Sequence, residues 1–295
     1  MNVRALAVLA AAVAAIAAGC GGDSQSTGAE PPLLTFDYDA SRPLGYVDRG
    51  RVGQRYLEIH DVSFRSGRNT VDGLLLLPPG TGRRPAAIVV HGSGGDRTQL
   101  LAPASWLASR GVAALTITAP SSTATGRPAS RAAALDRQRD LVVGDVVAVR
   151  RAVDVLRSLP SVDPERIGYV GWSAGAKTGA FVAAAEPRVR ALALLSAGAA
   201  PVSEYVDAAP SDLKPDVERV LGSVDPLRYV ARAKPGTLLL ADGRRDEVVP
   251  QQALQNVIDA APPDTSVRWY ASGHELSTRA YADAIEWLTK KLEAG

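Results

Sequence analysis

The sequence predicts an α/β domain, a mostly parallel sheet with helices on both faces. Three observations carry that expectation. Beyond Pro78, short apolar runs alternate with longer helix-like stretches, the pattern of strands that lie parallel and are covered on two sides. With 46% hydrophobic residues in 295, the chain can bury one large core. No internal repeat divides it, so a single domain is expected.

Residues 1–19 stand apart. Arg4 supplies a positive charge, Ala5 to Ala18 is unbroken apolar sequence, and Ala17-Ala18-Gly19 places small residues before Cys20. A bilayer span needs about 20 apolar residues, so this shorter run predicts an export signal. The only cysteine sits at the end of that signal, a setting that resembles the lipobox of bacterial lipoproteins. The resemblance implies a lipid-modified Cys20 and a membrane anchor at the cell envelope, although Ala17 replaces the usual leucine and leaves plain secretion open. Gly21 to Pro32 is polar, small and Pro-ended, so 20–34 read as a flexible tether and 35–295 as the folded domain.

Within the domain, Arg55–Phe64 and Thr70–Leu77 flank a turn at 65–69 and predict an antiparallel hairpin. Strands follow at Ala86–Val90, Val112–Thr118, Ile167–Val170, Val189–Ser196, Thr237–Ala241 and Ser266–Tyr270. Helices are expected over Gln99–Arg110, Gln138–Ser158, Ala174–Ala185, Gln251–Ala260 and Arg279–Glu293. Pro120–Arg139 shows no clear strand, and Pro201–Lys234 has room for two short helices.

Gly171-Trp172-Ser173-Ala174-Gly175 lies between the strand ending at Val170 and the helix that follows. That context is what a nucleophile elbow needs: two flanking positions without side chains, and a helix whose first N–H groups face the serine. Serine at neutral pH needs a base, and the base an orienting carboxylate. Three histidines are available. His274 lies in the loop after the last strand and takes the role of base. His91 heads the Gly-rich stretch His91-Gly92-Ser93-Gly94-Gly95 and reads as packed under that loop to shape it. His60 sits inside the hairpin and reads as a strand residue. Among acids, Asp246 has the best placement, in the loop after the strand that precedes His274. Asp242 reads as serving the turn into Gly243, Glu247 as pointing away, and Asp225 is the remaining rival.

Together HGSGG, GWSAG, LLLADGRRDEVVP and SGHE resemble the α/β-hydrolase superfamily, in its dienelactone-hydrolase-like and acetyl-esterase-like branches. The resemblance runs in the right order from about residue 55 to the C-terminus. It implies an eight-stranded, mostly parallel sheet with only a small cap insertion, and the triad Ser173–Asp246–His274. It further implies an oxyanion hole from the backbone N–H groups of Ala174 and Ser93, with Gly94 as a fallback. The expected reaction is cleavage of short-chain carboxylic esters, with a small-molecule partner and no cofactor.

Other classes find less support. A net charge of +2 with no basic block gives no footprint for nucleic acid, and three histidines with one cysteine cannot build a His/Cys zinc centre. A prolyl-oligopeptidase-like peptidase would carry a large propeller that has no room before the first parallel strand. A broken triad would support a non-catalytic envelope lipoprotein, and the triad residues are all present. Arg127, Arg131, Arg137 and Arg139 read as a solvated face, with a lid selecting anionic substrates as the alternative. Trp172 is open to two roles, lining the pocket or packing in the core.

Overall fold

A computed structural model describes residues 30–52 and 57–294. The leader 1–19, Cys20 and the tether up to residue 29 lie outside the described residues. Among the described residues no helix is long and apolar enough to cross a membrane.

One sheet organises the chain, in the spatial order β1-β2-β3-β5-β4-β6-β7-β8-β9. In chain order the strands are β1 (Val47–Arg51), β2 (Glu58–Ser66), β3 (Asn69–Leu77), β4 (Arg84–Val90), β5 (Ala113–Ile117), β6 (Val162–Trp172), β7 (Val189–Leu195), β8 (Leu238–Gly243) and β9 (Ser266–Tyr270). β1 to β3 and the β3–β5 pair run antiparallel, and every pair from β5 to β9 is parallel. β4, β5 and β7 are near-continuous apolar runs because both of their faces are covered.

Nine strands among the described residues correct the expected eight. β1, with the sequence VDRGR, is exposed throughout and has no apolar alternation to mark it. It is held by its ladder to β2 and by Arg49, which pairs with Asp61 and Asp72. Such an edge strand is a product of backbone pairing and not of burial.

Helices α1 (Leu101–Ser109) and α9 (Thr278–Glu293) pack on one face. On the other lie α3 (Arg131–Ser158), α4 (Ala174–Ala185) and α7 (Pro226–Val230). α2 (Pro120–Thr123), α5 (Val202–Ala208), α6 (Lys214–Ser223) and α8 (Gln251–Ala260) complete the set among the described residues. α3 begins at Arg131, earlier than expected, because Ser130 caps it by accepting the Ala133 N–H at 3.1 Å. Region 201–234 holds three short helices in place of two. The third, α7, starts where the Asp225 carboxylate accepts the Leu227 N–H and Pro226 occupies the first turn.

The end of the expected tether belongs to the domain. Leu34 donates its N–H to Ser223 O (3.2 Å), Arg228 bonds Pro31 O (2.8 Å), and Phe36 packs on Phe181 and Tyr229. Leu33 and Leu34 pack against the core and Pro31 lies beside Gly222 of α6, so contact with the domain extends ahead of residue 35.

Candidate active site

Ser173 occupies the single-residue link between β6 and α4, with φ 54° and ψ −113°. A side chain at positive φ is strained, and the surroundings hold it there. The Ser173 N–H donates to Leu195 O at 2.8 Å, and its carbonyl accepts the Lys177 N–H at 2.9 Å. The flanking glycines supply room. A Cβ on Gly171 would collide with the Gly175 carbonyl, and one on Gly175 with the carbonyls of Val90 and His91. Neither glycine has a positive φ, so the reversal is carried by the serine itself.

The loop after β9 delivers His274 to this point. Its Nε2 lies 2.9 Å from Ser173 Oγ and its Nδ1 lies 2.8 Å from Asp246 Oδ2. Asp246, whose side chain is fully shielded, comes from the loop after β8. Its Oδ1 accepts the N–H groups of Val248 and Val249, each at 2.8 Å. Two backbone donors on one oxygen fix the carboxylate's orientation and leave the other oxygen for the imidazole. Residues from three loops, all at the carboxyl ends of parallel strands, therefore form one hydrogen-bonded line.

The remaining acids and histidines lie elsewhere. Asp225 caps α7, and Glu247 is exposed. Asp242 is buried and does not serve the turn into Gly243: it accepts the Ala197 N–H, while its Oδ1 has no hydrogen-bond partner among the described residues. Burial, with the nearby Asp246 carboxylate adding to it, pushes its carboxyl up to about 7. His60 pairs with Asp48 and Glu58 on the hairpin.

His91 is buried and ties two loops together. Its Nε2 accepts the Ala119 N–H at 3.0 Å, so Nδ1 carries the proton and donates it to Gly92 O at 2.7 Å. Burial holds its pKa below the usual imidazole value. Gly92 and Gly95 close a turn through a Gly95 N–H to Gly92 O bond of 3.1 Å. Ser93 and Gly94 are its central residues, and Gly94 has φ 70°. The Gly92 N–H is held by Gln99 Oε1 at 2.9 Å, an anchor that sequence reasoning missed. Ala174 opens α4, and an N–H at the first helical position has no partner in the helix.

Trp172 is half-buried and packs against the edge of one core cluster. Its indole N–H donates to the His274 carbonyl at 3.0 Å, and its ring lies 5.2 Å from the imidazole at 40°. Ser196, which no sequence signal marked, donates its hydroxyl to the same carbonyl at 3.1 Å. Two of the arginines of 120–139 are engaged locally: Arg137 bonds Thr125 O, and Arg139 pairs with Asp136 and Asp140. Among the described residues no group of three or more His, Cys, Asp or Glu is placed to hold a metal.

A sequence model of the dienelactone hydrolase family matches residues 71–284. The chain belongs to the dienelactone hydrolase family. The match spans the elbow, Asp246 and His274 together. A polyketide transferase from Stachybotrys chlorohalonatus is 35% identical over 136 residues, which are 45% of this chain and 42% of that protein. The chain thus matches less than half the length of that relative. Among solved structures, acetyl xylan esterase 1 from Thermoanaerobacterium sp. superposes with a TM-score of 0.72 at 20% identity, over 90% of this chain and 96% of that one. An acetyl xylan esterase from Paenibacillus sp. R4 gives a TM-score of 0.69 at 19% identity, over 84% and 89%. These two likenesses establish the shared fold.

Proposed function

We propose that this dienelactone hydrolase family member is an exported serine esterase acting on small esters of short acyl chain. The observation that carries the reading is the line Ser173 Oγ–His274 Nε2 (2.9 Å), His274 Nδ1–Asp246 Oδ2 (2.8 Å). In this scheme His274 takes the Ser173 proton as Oγ attacks the ester carbonyl, and Asp246 stabilises the imidazolium formed. The backbone N–H groups of Ala174 and Ser93 hold the tetrahedral oxyanion, each such donor contributing roughly 3 kcal/mol. His274 then protonates the departing alcohol. Water, deprotonated by the same imidazole, attacks the acyl-enzyme and releases the acid.

Region 201–234, whose helices α5 to α7 are brief and carry few large apolar side chains, supports short acyl groups. Methylenes that stay in water forgo the roughly 0.8 kcal/mol that burial would give each. The acetyl xylan esterases that share the fold agree with an acetyl-sized acyl group. The leader and Cys20 support export with lipid attachment at the envelope. A fluorophosphonate probe is expected to label the wild type and not Ser173→Ala. A series of aryl esters should give higher kcat/KM for acetyl and butyryl than for decanoyl. Labelling of Ser173→Ala, or a steady rise in kcat/KM to long chains, would refute the reading.

The match to a polyketide transferase favours a second reading, transfer of the acyl group to an alcohol in place of water. Turnover with an added alcohol acceptor separates the two by product: free acid for hydrolysis, a new ester for transfer.

A further inference from the structure

We infer that Trp172 and Ser196 form a clamp on the main-chain carbonyl of His274 that positions its imidazole for proton transfer. The inference rests on His274 acting as the base. Both hydrogen bonds reach one oxygen, at 3.0 Å from the indole Nε1 and 3.1 Å from the hydroxyl Oγ. His274 lies in a loop without regular structure between β9 and α9, so no ladder fixes its backbone. Its Nε2 bond to Ser173 breaks and re-forms during each turnover, as the proton passes from serine to leaving group. Its position must therefore come from groups that keep their bonds throughout. Asp246 at Nδ1 is one. The two donors on the carbonyl are the other, and the tilted indole beside the ring adds a wall.

Ser196 carries a second mark of this role. It is buried just past the end of β7 with φ 55°, one of three non-glycine residues at positive φ among the described residues. Glycine would take that conformation with less strain, and only a side chain brings a donor to the carbonyl. Its own N–H is fixed on Ala241 O at 2.9 Å, and the next residue's N–H on the Asp242 carboxyl. β7 and β8 thus hold the hydroxyl in place. Trp172 precedes Ser173, so one dipeptide grips the histidine at both the ring and the backbone.

Ser196→Gly, Trp172→Phe and the double variant test the clamp with a small aryl acetate. Loss of one hydrogen bond at a shielded site predicts that each single change lowers kcat about three- to tenfold. KM should stay within about twofold, and fluorophosphonate labelling should slow in proportion to kcat. The double variant should lose more than either single one. Ser196→Gly relieves the backbone, so it should melt at or above the wild-type temperature while losing activity, an outcome that a packing role does not produce. If Trp172→Phe melts lower, Ser196→Gly alone decides. An unchanged kcat in Ser196→Gly and in the double variant, or a loss confined to KM, would overturn the clamp. His274→Ala is the control. If it is inactive while the clamp variants match wild type, only the clamp fails; if it is active, the assignment of the base fails with it.

Discussion

His274 Nδ1 rests 2.8 Å from Asp246 Oδ2, although a second buried acid, Asp242, closes the strand that leads to it. The two carboxyls are separated by their donors. Asp246 receives two backbone N–H groups on Oδ1 and the imidazole on Oδ2, whereas Asp242 receives the Ala197 N–H and leaves Oδ1 unpartnered. Burial with one oxygen unpartnered makes charge on Asp242 costly.

Asp246→Asn is expected to reduce kcat by about 10³- to 10⁴-fold with little change in KM. An amide at that place presents an N–H to Nδ1 and favours the tautomer that cannot accept the serine proton at Nε2. Steady-state kinetics on an aryl acetate check this. A loss below tenfold would move the orienting role to another residue.

Asp242→Asn should leave kcat within a few-fold and change the pH dependence of stability. Below about pH 4 the carboxyl is neutral in both folded and unfolded chains and no penalty arises. As pH rises, the unfolded chain ionises first, while the folded group resists until about 7. The native state thus loses stability across that window, and asparagine does not titrate. The variant should gain on the wild type between about pH 4 and 7, by on the order of 2–4 kcal/mol at pH 8. Urea unfolding at pH 4 and pH 8 measures the gap; a gap independent of pH would contradict the expectation.

His91→Ala should keep measurable turnover and lose stability. The change removes the acceptor for Ala119 N–H and the donor to Gly92 O inside a buried site, a cost of about 1–3 kcal/mol. Loosening of the turn at 92–95 should also lower kcat, but less than His274→Ala does. Denaturant unfolding and kinetics on the same preparations decide; complete inactivity in a folded His91→Ala protein would place His91 in the chemistry.

The sequence by itself determined the parallel strands, the helices over 174–185 and 251–260, and the three residues that meet at the elbow. Those features are local: apolar runs of strand length, a five-residue motif, and polar residues stranded at strand ends where loops must gather. It also distinguished His91 from His274 by their neighbours. Tertiary structure alone decided the rest. β1 exists because a charged segment pairs with β2, and pairing leaves no trace in hydrophobic period. Pro31 and Leu34 are held by bonds to Arg228 and Ser223, and Leu33 and Leu34 pack on the core. Ser196 and Trp172 lie 78 and 102 residues from His274, and their shared bond to its carbonyl depends on how β6 and β7 end beside each other. A hydrogen bond between residues so far apart follows from the register of the sheet between them, which no spacing along the chain encodes.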